Sequence, residues 1–288
     1  MKEESTVKAF QTSSRPKLRR ALNVLLLLLF ICFAIFPVFW MVTTSIRPVS
    51  DVFRIPPLLW PPHPTLEPYY KVIKERPIET YFSNTLLVAV ATVCLSAPIG
   101  ALGAYGFSRF RFRGSALLLG FILATQMFPY IVIVLPYFQM LVALKLMDTY
   151  LGLIIAYTSF CLPFSTWMLK GFFDAIPREL DEAAMIDGCS RLRAFIRVVL
   201  PVSLPGLAAT IVFAFLVAWN HYEFALILTQ SPEKMLLSIA IPNLMGQFSC
   251  NWNELMAAGF MAILPPIIMY SFLGKYLVKG LTSGAMKE

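Results

Sequence analysis

Residues 21–43 read ALNVLLLLLFICFAIFPVFWMVT, an apolar run without a charged residue. About 20 apolar residues in a helix cross a bilayer core about 30 Å thick. Further runs of this length lie at roughly 84–107, 116–140, 150–170, 203–229 and 257–278. Backbone polar groups cannot stay unpaired in lipid, and the runs lack the alternating polarity of barrel strands. The sequence therefore predicts an all-α membrane protein with six transmembrane helices.

The composition agrees with this prediction. Of the 288 residues, 58% are hydrophobic and 14% are charged, and the mean hydropathy is +0.71. A soluble domain carries about 25% charged residues, so cytosolic enzymes, disordered tails and secreted disulfide scaffolds are excluded. The five cysteines are scattered, without a CxxC pair or metal-ligand spacing, and predict no metal site.

The basic residues predict the orientation. With the N-terminus inside, 17 of the 24 Lys and Arg residues lie in or beside segments 1–20, 108–115, 171–202 and the C-terminal tail. The other 7 lie in the outer segments 44–83, 141–149 and 230–256. Because Lys and Arg collect on the cytoplasmic side, we expect both termini in the cytoplasm. Topology thus accounts for the net charge of +8, and we expect no nucleic-acid partner.

The predicted organisation is a cytoplasmic segment 1–20, a first span 21–43, a Pro-rich external loop 44–83, a core 84–278 and a cytoplasmic tail 279–288. The first span has no small-x-small cleavage pattern after it and is interpreted as an uncleaved anchor. Loop 44–83 contains eight prolines, so it cannot form one continuous helix. Pro129 and Pro136 predict kinks in the third span.

Loop 171–202, between spans four and five, predicts a helix–turn–helix. Pro177 suits a first helical turn, and the acidic residues after it favour the positive end of the helix dipole. Gly188 supplies a left-handed stop, Ser190 can cap a second, basic helix, and Leu200-Pro201 is expected to end it. The small residues Ala183 and Ala184 would let another protein approach closely. A solvated loop with internal salt bridges is the alternative interpretation.

This loop resembles the EAA loop of bacterial ATP-binding-cassette (ABC) importers. Glu182-Ala183-Ala184 is followed by Gly188, Val198 and Leu200-Pro201 at the spacing of that motif, with Val198 where isoleucine is usual. The resemblance implies a type I ABC-importer permease fold in a bacterial-type plasma (inner) membrane. It also implies that the loop forms coupling helices that contact an ATPase subunit, and the residues so assigned are Glu182, Ala183, Ala184, Asp187 and Gly188.

Further segments resemble the carbohydrate-uptake importers, on the side of the smaller, six-span subunit of the maltose-permease type. They are Ile55–Pro61, Tyr105–Phe110, Trp219-Asn220 and the tail Lys279–Lys287. The resemblance implies four kinds of protein partner or surrounding: a second homologous permease subunit, two ABC ATPase subunits, an extracytoplasmic sugar-binding protein and the lipid bilayer. The sequence contains no phosphate-binding GxxxxGK[ST] loop, so we expect no cofactor on this chain and ATP/Mg in the partner subunits.

Polar residues within the spans are the candidates for the substrate pathway, because ionisable groups in a membrane are costly. Glu223 is the strongest, and its spacing of four from Trp219 predicts that both share one helix face. Packing against neighbouring helices or subunits is the alternative for this set. The assigned pathway residues are Trp219, Asn220, His221, Glu223, Gln126 and Tyr130.

These observations predict a permease subunit of a binding-protein-dependent ABC importer for a sugar, a di- or oligosaccharide. The resemblance implies that the outer segment 230–256 touches the sugar-binding protein; the alternative is a lid packed only on its own chain. The alternatives are a permease for glycerol-phosphate or another small polar solute, and a stand-alone secondary transporter. An intramembrane enzyme would need a reactive pair or triad in the spans, and the sequence offers none.

Overall fold

The computed structural model describes residues 15–246 and 250–285, with side chains for 19–246 and 250–276. Parts of the predicted segment 1–20, outer segment 230–256 and tail 279–288 lie outside the described residues. In the described residues the regular secondary structure is helical apart from an isolated bridge between Met245 and Cys250, which confirms the predicted all-α class. The α-helices are α1 (Arg15–Ser45), α2 (Glu67–Lys74), α3 (Ile78–Arg109), α4 (Ser115–Ala124), α5 (Tyr130–Ala143), α6 (Tyr150–Asp174), α7 (Glu179–Ile186), α8 (Arg191–Ala194), α9 (Leu200–Val202), α10 (Leu204–Asn220), α11 (Glu223–Leu228), α12 (Leu237–Asn243) and α13 (Trp252–Ala285).

Four helices in the described part of the chain are long and apolar enough to cross a membrane alone: α1, α3, α6 and α13. Two bent pairs pass the same test. Ser115–Met127 and Tyr130–Ala143 meet at 99°, and Arg191–Val202 and Leu204–Asn220 meet at 83°. The count reaches the predicted six when each pair is taken as one span.

Prolines explain where the bent pairs break. Pro129 precedes α5 in an extended conformation, which confirms the predicted kink, whereas α5 runs on through Pro136. The prediction that Leu200-Pro201 ends the second helix of loop 171–202 is wrong. A π-type turn, Phe195–Val199, leads into α9, and the chain breaks at Ser203. The cause is Pro205, which has no N–H to donate to the carbonyl of Pro201.

The chain forms two compact units. The first comprises Met1–Tyr69 with Asn251–Phe260. Its Pro-rich chain is folded around Arg47, whose side chain donates to the Leu58 carbonyl and lies 4.8 Å from the Trp40 ring. The Arg47 carbonyl accepts from Asn253 Nδ2 at 3.2 Å. The prediction that loop 44–83 does not form one continuous helix is confirmed; the loop contains α2 and the start of α3.

The second unit, Tyr70–Cys250 with Met261–Glu288, is built on α3, α6 and α10. Small residues let these helices approach closely. A Cβ added to Gly100 would lie 3.1 Å from Cβ of Ser165, and one added to Gly206 would lie 2.5 Å from Cγ of Phe172. Membrane helices associate through such close packing, because lipid provides no hydrophobic drive between them.

The N-terminal end of α3 is tied to the chain that follows α11. Asn84 Nδ2 donates to the carbonyls of Glu233 and Met235 at 2.8 and 3.0 Å. Thr85 Oγ1 accepts from the Leu237 backbone N–H at 2.8 Å. These bonds satisfy backbone groups that no helix satisfies, and they fix residues 233–237 to the end of a span.

Asp148, in the turn before α6, holds the same segment. Its carboxylate accepts from the backbone N–H groups of Gln230 and Ser231 at 2.9 and 3.0 Å, and Lys234 lies 3.3 Å away. Burial raises the pKa of this carboxyl, but the hydrogen bonds from Ser231, Gln230 and Lys234 outweigh it and hold the pKa well below its ordinary value. Asp148, in predicted outer segment 141–149, and residues 230–234, in predicted outer segment 230–256, therefore meet at one end of the unit.

Gly206→Ala is expected to destabilise the protein, because its Cβ would overlap Phe172 and overpacking costs about 1–3 kcal/mol. The measurement is the midpoint of thermal unfolding in detergent, followed by intrinsic fluorescence. Gly171→Ala is the matched control, since a Cβ there meets nothing within 4 Å. A Gly206→Ala protein as stable as the Gly171→Ala protein would contradict the close approach of α6 and α10.

Candidate functional site

The first half of loop 171–202 forms a short helix that is closed at its end by a glycine. The acidic residues Glu179, Asp181 and Glu182 occupy the first turn of α7, where they oppose the positive helix end. At the other end, the N–H of Cys189 bonds the Ala184 carbonyl at 3.0 Å and the N–H of Gly188 bonds Met185 at 3.1 Å. This is a Schellman motif, and the φ of +82° at Gly188 confirms the predicted left-handed stop.

The second half begins with the predicted cap. The Ser190 hydroxyl accepts from the Arg193 N–H at 3.4 Å and starts α8. Arg191 then lies with its guanidinium 5.4 Å from the ring of Phe110, at the end of α3. The helix–turn–helix prediction for this loop is therefore confirmed, and its basic half packs back on a span.

The surface of α7 differs in one respect from the expectation. Glu182, Ala183, Asp187 and Gly188 are exposed, but Ala184 is 9% exposed and faces its own chain. The prediction that Ala183 and Ala184 form one open surface is thus wrong for Ala184, because residues adjacent on a helix point about 100° apart.

Sequence reasoning missed Ile186. This apolar side chain is 86% exposed at the end of α7, between Glu182 and Asp187, which are also exposed. An apolar residue beside the glycine stop was the signal that could have identified it. A single exposed apolar side chain is common on protein surfaces, so the significance of Ile186 rests on its place in the loop that resembles the EAA loop.

The second candidate region surrounds a break in the fifth predicted span. Helix α10 ends at Asn220, His221 has an extended backbone, and α11 begins at Glu223. The prediction that Trp219 and Glu223 share one helix face is therefore wrong. The break frees the His221 carbonyl, which accepts from Tyr157 Oη at 3.1 Å and Ser238 Oγ at 3.2 Å. Irregular backbone at membrane depth requires such partners.

The His221 imidazole lies in an aromatic enclosure. It is stacked on Tyr157 at 5.2 Å and meets the edge of Tyr130 at 5.1 Å. Nδ1 lies 3.4 Å from Glu223 Oε2, and within the described part of the chain neither ring nitrogen makes a hydrogen bond. The enclosure is completed by Phe160 and Phe224. Two predicted pathway residues, Tyr130 and Glu223, are thus brought to the third, His221.

Gln126 lies beside this enclosure. Its Nε2 donates to the Phe160 carbonyl at 3.1 Å. Phe160 also lines a mainly apolar cavity of about 650 Å³, which Gln126, Tyr137 and Ser159 share. Gln126 and Tyr130 flank the break at Pro129, so the two bent regions of the unit meet around Phe160.

Trp219 and Asn220 belong to a separate cavity. Trp219 is 4% exposed, donates from Nε1 to the Ala262 carbonyl at 3.1 Å and stacks on Phe215 at 5.3 Å. Asn220 is exposed and donates to the Leu216 carbonyl at 2.9 Å. With Tyr222 and Ser238, among others, they line a cavity of about 270 Å³. The environment of Trp219 is that of a packed core residue.

The arrangement offers polar groups at helix breaks, in apolar surroundings, and no metal site. In the described part of the chain no three His, Cys, Asp or Glu residues could hold a metal ion. Such a site can contact a passing solute.

Comparison with known proteins identifies the family. The model of the "binding-protein-dependent transport system inner membrane component" matches residues 96–283. The diacetylchitobiose uptake system permease protein DasC of Streptomyces coelicolor is 35% identical over 92% of this chain and 96% of its own length. The trehalose/maltose transport system permease protein MalG of Thermococcus litoralis is 33% identical over 94% and 98%.

A solved structure shares the fold. The crystal structure of a bacterial ABC transporter involved in the import of the acidic polysaccharide alginate contains a chain with a TM-score of 0.80 and 25% identity, covering 92% of this chain and 98% of that one. This confirms the predicted ABC-importer permease fold. Since the family model covers well over half of the sequence and close relatives align along almost all of it, this chain belongs to the family of binding-protein-dependent transport system inner membrane components.

Proposed function

We propose that this chain is the membrane permease subunit of an ABC importer that takes up a sugar, a di- or oligosaccharide. The observation that carries the proposal is the exposed surface of α7 in a chain of this family: Glu182, Ala183 and Ile186 project from a short helix that is fixed to the ends of two spans. The sugar class is supported by relatives that are named for diacetylchitobiose, trehalose/maltose and alginate.

The energy source lies in other chains under this proposal. Two ABC ATPase subunits bind ATP/Mg, and one of them contacts loop 171–202 of this chain, while this chain binds no cofactor. The contact residues are Glu182, Ala183, Asp187, Gly188 and Ile186. Closure of the ATPase subunits on ATP moves the permease because ATP binds the closed state more tightly. Ala184 supports the surface from beneath rather than touching the partner.

A second homologous permease subunit and the lipid bilayer cover the remaining apolar surface. The most apolar part of α1 has no residue buried by the rest of the chain, and an apolar surface of that size requires lipid or protein around it. The charge distribution supports cytoplasmic termini and the organisation 1–20, 21–43, 44–83, 84–278 and 279–288. An extracytoplasmic sugar-binding protein docks on the outer segments, and no nucleic acid takes part.

The breaks in the spans supply the substrate pathway. Polar atoms lie next to aromatic rings in three places: the enclosure contains Tyr130, His221 and Glu223, the larger cavity is lined by Gln126, and the smaller cavity is lined by Asn220. That combination suits a sugar, whose ring has apolar faces and a polar rim. Trp219 shapes the wall of its cavity.

A permease for glycerol-phosphate or another small polar solute is the second candidate. The structural relative that imports acidic alginate supports an anionic substrate, whereas the half-exposed carboxylate of Glu223 would repel one. A stand-alone secondary transporter is disfavoured by membership of a binding-protein-dependent family.

Glu182→Lys and Gly188→Val are expected to leave membrane insertion intact and to uncouple ATP hydrolysis from uptake. The first reverses a charge on the contact surface, and the second forces a β-branched residue into the left-handed conformation, at a cost of about 1–2 kcal/mol. The measurement is uptake per ATP hydrolysed in vesicles that contain the whole transporter. Glu79→Lys, which reverses an exposed charge in the first turn of α3, and Gly188→Asn, which tolerates positive φ, are the controls. Normal coupling in both test variants would reject the contact.

Ile186→Asp is expected to weaken binding of the ATPase subunit, because it replaces the large apolar side chain of the proposed contact with a charge. Losing a well-buried interface anchor costs about 2 kcal/mol or more, which is about thirtyfold in affinity. The measurement is co-purification of the ATPase subunits with this chain, compared with Ile186→Val. Equal recovery with both variants would show that Ile186 lies outside the interface.

Glu223→Gln is expected to raise the sugar concentration for half-maximal uptake about tenfold, because a hydrogen bond to a charged group contributes about 1.5–3 kcal/mol. Uptake is measured with the cognate binding protein over a panel of neutral sugars and glycerol-phosphate. Glu233→Gln, in the nearby outer segment, is the control and should behave as wild type. If the Glu223→Gln transporter kept the wild-type concentration dependence, Glu223 would have no place in the pathway.

A further inference from the structure

The C-terminal end of α3 is bound to α7 by a buried ion pair. Arg109, the last residue of α3, donates from Nε to Oδ2 of Asp181 in the first turn of α7. The two side chains are only 5% and 7% exposed. The second oxygen of Asp181, Oδ1, is buried and makes no hydrogen bond within the described part of the chain. In the described part of the chain, Arg109 therefore supplies the hydrogen bond and the opposite charge that stabilise the Asp181 carboxylate.

The same guanidinium also holds the end of α6. Arg109 Nη1 donates to the Phe173 carbonyl at 3.0 Å, and Nη2 donates to the Ile176 carbonyl at 3.2 Å. The Phe173 carbonyl lies in the last turn of α6, where it also accepts from the Ile176 N–H at 3.2 Å, and the Ile176 carbonyl lies two residues beyond the helix end. One planar side chain thus fixes three elements in a single geometry, which the flexible ammonium of a lysine could not reproduce.

A second arginine repeats the link in the opposite direction. Arg178, directly before α7, donates from Nη2 to the Ser108 carbonyl at 2.6 Å. Below the two arginines, the Tyr105 ring packs 4.7 Å from Phe195 of the π-type turn and 6.5 Å from Phe173. Bonds at fixed directions and a packed aromatic cluster leave little freedom for α7 to slide on α3.

Helix α3 continues from this point to the opposite end of the unit. Its 32 residues span about 48 Å. There Asn84 and Thr85 hold residues 233–237, and Leu237 and Ser238 line the smaller cavity. A continuous chain of directional bonds therefore runs from α7 through α3 to the wall of that cavity.

We propose that the Arg109–Asp181 ion pair is the joint that passes movement of α7 to α3 and so to the outer cavity wall. The inference rests on the proposed coupling function of α7. Two adjacent residues have different roles under this proposal: Glu182 contacts the ATPase subunit, and Asp181 contacts α3. Arg109 and Asp181 are positioning residues, since neither touches the solute.

The test uses the whole transporter, with native cysteines replaced and Ile241→Cys as a reporter in the wall of the same cavity. The probe is ATP/Mg with vanadate, which traps the closed ATPase state and needs no sugar. The readout is the change in the labelling rate of the reporter by a membrane-impermeant thiol reagent upon trapping. Co-purification of the ATPase subunits reports assembly separately.

Asp181→Asn keeps the shape of the side chain and removes its charge. We expect an assembled transporter in which the vanadate-induced change in labelling is at least about fivefold smaller. The matched control is Asp174→Asn, which removes an ion pair between Lys170 and Asp174 that lies within α6 and joins no second element. It should keep the full response.

An assembled Asp181→Asn transporter with the full response would overturn the joint. If that variant fails to assemble, Arg109→Lys is measured by the same readout. It keeps the positive charge and loses the paired hydrogen bonds to the Phe173 and Ile176 carbonyls, so a full response in this variant would overturn the joint. Failure of both variants to assemble would make the pair an assembly contact and overturn the joint too. If vanadate trapping left the labelling rate of the reporter unchanged in the transporter with wild-type Arg109 and Asp181, that result would instead contradict the proposed function.

Discussion

Close approach of α3, α6 and α10 is the constraint on which the rest of the second unit depends. Helices in lipid gain little from apolar contact alone, so their association needs surfaces that fit. Gly100 against Ser165 and Gly206 against Phe172 provide that fit. Because the three helices form a rigid block, the broken helices around them can carry polar groups without loss of the fold.

The breaks are where this protein differs from a simple helical bundle. A helix that stops inside a membrane exposes carbonyl and N–H groups, and each must find a partner. At His221 the partners are hydroxyls of Tyr157 and Ser238. The polar atoms required by the break are the same atoms that give the proposed pathway its character, so the structural requirement and the proposed function coincide at this position.

Helix α7 serves two surfaces at once. Its acidic residues all lie in the first turn, where each is stabilised by the positive end of the helix dipole. Asp181 is nevertheless buried beside Arg109, whereas Glu182 is exposed. A short helix with one face fixed to the spans and the other open is suited to passing on a force without deforming. The Schellman motif at Gly188 keeps that helix short and turns the chain back towards α3.

The sequence by itself determined the helical class, the membrane location, the family and the helix–turn–helix of loop 171–202, because these depend on local composition, capping residues and motif spacing. Gly188 and Ser190 could be assigned since a stop and a cap act within a few residues. The break at His221, the burial of Ala184, the exposure of Ile186 and the pairing of Arg109 with Asp181 could not, because each depends on residues distant in the chain. Arg109 and Asp181 are 72 positions apart, and only the packing of α3 on α6 brings the two charges to one place.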